Sequence, residues 1–192
     1  LRMRLTQPEN LPKEGEPAII VGNHQSFVDI LYLGRMFPNR ASIMAKKELK
    51  WMPFLGWWSA CLLSRFAYVR TEADERVRLH PPEVNLSGAV WINRGNAASA
   101  IKAMNATAAE INAKKLSLFI FPEGTRTLSP ELTLKPFKKG AFHLAVQSGL
   151  PIVPVVCQNY QGLFDGKTRF DGGELELRGA SRSPLCRPKR GG

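Results

Sequence analysis

The chain has 192 residues, 44% hydrophobic and 9% aromatic, a composition that excludes a wholly disordered or fibrous protein. A single domain of this length buries roughly 70% of its unfolded surface, so it requires no disulfide or metal staple. Lys and Arg number 27 against 16 Asp and Glu, a net charge of +11, and that excess points to a polyanionic partner: nucleic acid, an anionic membrane surface or a phosphorylated substrate.

Residues 1–17 are polar and dotted with Pro8, Pro12 and Pro17, which predicts a lead-in rather than an element. Ala18–Val21 is wholly apolar and ends at Gly22, the pattern of a strand buried on both faces. Ser26 then offers an N-cap, and Phe27, Ile30, Leu31, Gly34 and Phe37 recur at helical spacing until Pro38. Ala41–Ala45 predicts a second short strand, and Lys46–Leu63 a basic, aromatic-rich helical hairpin bent at Pro53. Gly88–Asn93 predicts a third strand. Ile101, Met104, Ala108 and Ile111 line one face of an amphipathic helix. Leu116–Phe121 predicts a buried strand stopped by Pro122, Gly140–Ser148 a short helix, and Ile152–Cys157 a last strand. Pro154 within that last strand implies a sheet edge or a bulge.

Strands alternating with helices predict a single α/β domain, with a mostly parallel or mixed sheet flanked by helices. Two segments stand outside the pattern: Ser64–Leu86, charged and aperiodic, which reads as an insertion, and residues 179–192, a basic tail expected to be disordered. The longest apolar stretch, Trp51–Leu63, is broken by Pro53, Gly56 and Ser59. It falls short of the roughly 20 residues needed to cross a bilayer, so no transmembrane segment is expected in the chain as given. Cys61, Cys157 and Cys186 are odd in number and far apart, and no C-x-x-C occurs, which argues for a reduced compartment without disulfides or zinc.

Chemistry concentrates at the ends of the predicted strands. His24 follows the first strand and Asp29 falls in the first turn of the next helix, where a carboxylate can hold one imidazole nitrogen and leave the other as a general base. The same residues also fit a dipole-complementing Asp beside an ordinary loop His. Phe121-Pro-Glu123-Gly124-Thr125-Arg126 places a carboxylate, a flexible glycine, a hydroxyl and a guanidinium after a buried strand. Arg126 can grip a phosphate there and the backbone near Gly124 can form an anion nest; the alternative is a turn whose Glu and Arg form a surface ion pair worth little. Arg94 follows another predicted strand, and Lys135-Pro-Phe-Lys138-Lys139-Gly140 opens a helix. Gly162–Thr168 is one residue short of a P-loop, no G-x-S-x-G occurs, and three scattered histidines make a metal site unexpected.

Taken together, N-H-Q-S-F-V-D (23–29), G-A-V-W-I-N-R (88–94), F-P-E-G-T-R (121–126) and L-P-I-V-P-V-V (150–156) resemble the four ordered blocks of the 1-acyl-sn-glycerol-3-phosphate (lysophosphatidate) acyltransferase family. The stretches 45–57 and 134–145 are similar too, of eukaryotic, fungal-like type. The resemblance implies a glycerolipid acyltransferase-like layered fold. It implies acyl transfer from acyl-CoA, a co-substrate rather than a bound cofactor, to the sn-2 hydroxyl of lysophosphatidic acid, giving phosphatidic acid. His24 would be the base with Asp29 fixing it, Arg94, Glu123, Gly124, Thr125 and Arg126 would bind the substrate phosphate, and Pro154 would lie on the acyl-donor side. No metal or nucleic acid is implied. An anionic membrane surface is, with the endoplasmic reticulum as the expected location and Trp51–Leu63 as apolar surface at the bilayer. Family members usually carry apolar segments before the first block and continue beyond residue 178, and the insertion interrupts the pattern. A catalytically inactive, peripheral phospholipid-binding protein is therefore the alternative, and a nucleic-acid module, motivated by the basic tail, comes third.

Overall fold

The computed structural model describes residues 2–13, 15–26, 28–36, 41–46, 90–92, 97–127, 129–131, 133–165, 168–181 and 183. The predicted hairpin beyond Lys46, the insertion, Arg94 and residues 184–192 lie outside the described residues.

The strands are β1 (Arg2–Thr6), β2 (Ile19–Gly22), β3 (Ala41–Lys46), β4 (Val90–Ile92), β5 (Ser117–Ile120), β6 (Ile152–Cys157) and β7 (Glu174–Gly179). The helices are α1 (Asp29–Met36), α2 (Ala97–Ala113) and α3 (Gly140–Ser148), with a 3-10 turn at Pro8–Asn10. The strands form a seven-stranded sheet in the order β1-β7-β6-β2-β5-β3-β4. All pairings are parallel except β6 with β7.

Apolar runs in the central strands are explained by burial on both faces. Successive residues alternate between two cores: Ile20, Phe119, Val153 and Val155 pack with Tyr32, Leu33 and Met36 of α1. Ile19, Val21, Leu118, Ile120 and Ile152 pack with Ala108 and Ile111 of α2 and Ala141, Leu144 and Ala145 of α3. Gly22 ends β2 because nothing larger fits: a Cβ there would lie 2.6 Å from the Phe119 ring.

Several expectations require correction. The stretch taken as a lead-in contains β1, an edge strand paired residue for residue with β7. Its alternating R-M-R-L-T half-buries Met3 and Leu5 against the core. β7 itself was not foreseen, although its E-L-E-L-R-G buries alternate residues. The segment expected to be a disordered tail begins inside it, at Gly179, and Ser183 still bridges Ile152. β6 is interior, not an edge, so Pro154 does not mark a sheet edge, and it pairs in register with Val21. The one extra residue between the Val155–Gly179 pair and the Ile152–Ser183 bridge falls on the opposite segment, after Gly179. Pro154 lacks an N–H, but its carbonyl accepts the Ala180 N–H at 2.8 Å. The first helical residue is Asp29, three residues after Ser26, whose hydroxyl accepts the Val28 N–H at 3.0 Å while its own N–H donates to the Asp29 carboxylate, a capping-type pair at the entry to α1.

Candidate active site

β2, β5 and β6 are neighbours and parallel, so the loops after Gly22, Ile120 and Cys157 leave the sheet at the same end, where sites in open α/β sheets gather. The first loop is stapled to β6 by side-chain amides. Asn23 donates to the Cys157 carbonyl at 3.0 Å and accepts the Cys157 N–H at 2.8 Å. Gln25 donates to the Cys157 and Gln158 carbonyls and accepts the Tyr160 N–H. Between these two anchors stands His24.

His24 Nδ1 lies 2.7 Å from Asp29 Oδ2. An ionised carboxylate only accepts, so Nδ1 carries the proton and Nε2 of the neutral ring is left with its lone pair. The Asp29 carboxylate is fully buried, whereas the His24 side chain is 20% exposed, so the ring can be reached from outside and its partner cannot. Burying a carboxylate is tolerated only when its oxygens are bonded. Oδ2 also accepts the N–H groups of Gln25 at 2.7 Å and Ser26 at 3.1 Å, and Oδ1 accepts the Tyr160 hydroxyl at 2.6 Å. Phe121 stacks on the imidazole with ring centroids 3.9 Å apart and planes 16° from parallel. The groups facing Asp29 are held neutral. Burial first, and the Asp29 charge second, push Tyr32, Cys157 and Tyr160 well above their ordinary ranges.

The second loop is built around Glu123, which is only 2% exposed. Its carboxylate accepts the His24 N–H at 2.7 Å, the Thr127 hydroxyl at 2.7 Å and the Lys135 N–H at 3.1 Å. Both oxygens are thus engaged inside the protein. Glu123 holds the histidine loop, its own loop and the lysine-rich segment together, and no Glu–Arg surface pair forms. Thr125 and Arg126 are exposed, and no ion-pair partner of the Arg126 guanidinium is found among the described residues. Lys135 Nζ donates to the Arg126 carbonyl at 2.7 Å, and the Lys138 N–H donates to the Pro122 carbonyl. Gly124 has φ +67°, and a Cβ there would meet Cδ, Cε and Nζ of Lys138 at 3.0 Å, so the lysine stem lies across the glycine. A cavity of about 200 Å³ flanks the histidine loop, lined among others by Asn23, Gln25, Thr127, Cys157 and Asn159.

The structure therefore brings His24, Asp29, Glu123, Gly124, Thr125 and Arg126 to one end of the sheet. Pro154 stays within the sheet body, paired with Val21, and it is the exit of β6 that reaches the site. In the P-loop-like stretch Asp165 itself accepts the Thr168 and Arg169 N–H groups. No group of His, Cys, Asp and Glu suited to a metal ion occurs among the described residues, and no described helix is long and apolar enough to cross a membrane. Sequence reasoning missed Phe121, Gln25 and Tyr160. Phe121 lay inside a quoted motif, but Tyr160 carried no local signal, being 131 residues from the carboxylate it bonds.

Comparison with known proteins bears on this arrangement. The chain is 40% identical over 167 residues to a 1-acyl-sn-glycerol-3-phosphate acyltransferase of Saccharomyces cerevisiae, covering 87% of this chain and 46% of that protein. It is 34% identical to human 1-acyl-sn-glycerol-3-phosphate acyltransferase alpha, covering 85% and 48% respectively. The chain thus spans about half the length of the curated relatives it matches. Its fold is that of the 1-acyl-sn-glycerophosphate (LPA) acyltransferase PlsC of Thermotoga maritima, with a TM-score of 0.63 at 23% identity over 99% of this chain and 63% of that one. The Acyltransferase family profile matches residues 2–158, a span that holds both strand-end loops and ends one residue past β6. The chain belongs to the acyltransferase family.

Proposed function

We propose that this chain transfers a fatty acyl group from acyl-CoA to the sn-2 hydroxyl of 1-acyl-sn-glycerol 3-phosphate, giving phosphatidic acid. The reading rests on one observation above others: a fully buried carboxylate bonded to His24 Nδ1, which leaves Nε2 as a base on a partly exposed ring. In this mechanism Nε2 takes the proton of the sn-2 hydroxyl as its oxygen attacks the thioester carbonyl. Asp29 steadies the imidazolium that forms. When the tetrahedral intermediate collapses the C–S bond breaks, and the imidazolium returns its proton to the departing CoA sulfur. Phe121, stacked on the ring, limits its rotation.

Arg126, Thr125 and the backbone around Gly124 receive the substrate phosphate, and Arg94 is proposed to assist them. Glu123 serves the same site indirectly, because a carboxylate already engaged by three donors holds the loop rather than an anion. The exit of β6 shapes the acyl-donor side, with Pro154 behind it in the sheet body. Substrate, product and membrane surface are all anionic, which gives the charge of +11 a use at a lipid surface such as that of the endoplasmic reticulum. Neither a metal nor a bound cofactor is required by this chemistry.

The test is direct. Full-length protein in detergent micelles is given lysophosphatidate and oleoyl-CoA, and CoA release is followed with a thiol reagent. His24→Ala is expected to lower turnover by about 10³-fold. Equal rates in both proteins would overturn the reading.

A further inference from the structure

Asp29 presents two oxygens, and only Oδ2 meets the histidine. The imidazole and the N–H groups of Gln25 and Ser26 converge on that oxygen, which leaves Oδ1 to be held by another group. The group that meets Oδ1 is the Tyr160 hydroxyl, 2.6 Å away, at a residue only 2% exposed. The same hydroxyl lies 2.8 Å from Ser26 Oγ, and proton bookkeeping fixes the direction of both bonds. The phenol has one proton and the carboxylate has none, so Tyr160 donates to Asp29 and Ser26 must donate to Tyr160. Ser26 Oγ is itself placed by the Val28 N–H. The backbone of Tyr160 is held at both ends, its N–H by Gln25 Oε1 and its carbonyl by the N–H groups of Leu163 and Phe164.

From this geometry we infer that Tyr160 is a positioning residue for the dyad: by fixing Asp29 Oδ1 it holds Oδ2 on His24 Nδ1 and so aims Nε2. The inference rests on the reading of His24 as the base. It predicts that the tyrosine acts on the chemical step and not on lipid binding, since its hydroxyl is spent within the protein. The other titratable groups packed around Asp29 are Tyr32 of α1 and Cys157 at the end of β6, with Glu123 reaching the His24 N–H from the second loop. The Tyr32 hydroxyl, which also lies near the Asp29 carboxylate, gives its one proton to the Asn23 carbonyl at 3.3 Å, and Cys157 Sγ donates to the Gln158 carbonyl at 3.4 Å.

Tyr160→Phe in the full-length protein keeps the ring and removes only the hydroxyl. Steady-state kinetics are expected to show kcat lower by about tenfold with KM for lysophosphatidate within about twofold, the size of one hydrogen bond lost from a positioning network. The downfield proton NMR signal of the His24 Nδ1–H is expected to move or broaden. Adding Tyr160→Phe to His24→Ala should cost nothing more, because a residue that acts only through the histidine has nothing left to position. Ser26→Ala, which leaves the Tyr160–Asp29 bond in place, should show a smaller loss.

An unchanged kcat with an unmoved Nδ1–H signal would overturn the inference. So would a loss that tracks the thermal midpoint alone with that signal unmoved, the behaviour of a packing residue. Failure of the underlying reading looks different: His24→Ala would then keep full turnover, while the NMR signal in Tyr160→Phe would still report whether the tyrosine holds the dyad.

Discussion

The two halves of the site are built on opposite plans. On the dyad side Asp29 is wholly buried, every donor around it is engaged, and Tyr32, Cys157 and Tyr160 are kept neutral beside it. On the side proposed to meet the phosphate, Thr125, Arg126 and Lys138 stand exposed, while the Arg126 carbonyl and the Lys138 N–H are bonded within the protein. A base must already point the right way when the proton moves, so its supports are completed in advance. A cation awaiting a phosphate is better left in water, where its charge is cheaply held until a ligand displaces the solvent. Glu123 joins the plans, with one oxygen on the histidine loop and the other on the lysine-rich segment.

The strongest way to break this division is to cut that link. Glu123→Ala is expected to collapse both halves together, lowering stability by about 3 kcal/mol in urea unfolding, because three donors lose a charged acceptor. Full stability in the variant would mean that the loops are held by other means. Next in size, Arg126→Ala should raise KM for lysophosphatidate about 10- to 100-fold while leaving the thermal midpoint alone, since an exposed guanidinium contributes to binding and not to the fold. A fall in kcat at constant KM would instead move Arg126 to the dyad side.

The smallest effect concerns how dry the buried side is. Burial, and then the Asp29 charge, hold the Cys157 thiol above its ordinary range. On raising the pH the unfolded chain releases that proton before the folded one does, so the unfolded state binds fewer protons and stability falls. The loss between pH 7 and 9 is expected to be about 1 kcal/mol, and Cys157→Ala should remove it. Alkylation of Cys157 in the folded protein at pH 8.5 would show that the region is wetter than its contacts indicate.

How much of this was legible in the residues depended on range. The apolar runs of β2, β5 and β6 announce themselves because burial on both faces leaves no room for polar alternation. β1 and β7 do not, since a strand in which charged and apolar residues alternate looks like a solvated segment until its partner is found, and the partner of Arg2 is Glu174. His24 and Asp29 could be paired from five residues of sequence. Glu123 was foreseen at the site but as a phosphate contact; its inward turn follows from donors on three separate segments, which no local pattern reveals. Tyr160 is further still from view, because the bond that makes it matter spans the chain from α1 to the loop after β6.

Gly22 has a consequence beyond the close packing noted for β2. The Phe119 ring occupies the space its side chain would take, Phe119 meets Phe121 edge to face at 4.9 Å, and Phe121 lies flat against the imidazole. Three rings thereby touch in a row, one contact edge to face and one flat, whose far end rests on bare backbone. The resting place of the His24 ring is set, at one remove, by a side chain that is not there, and a substitution that thickens the strand at Gly22 is expected to pass along the row as a displacement of His24.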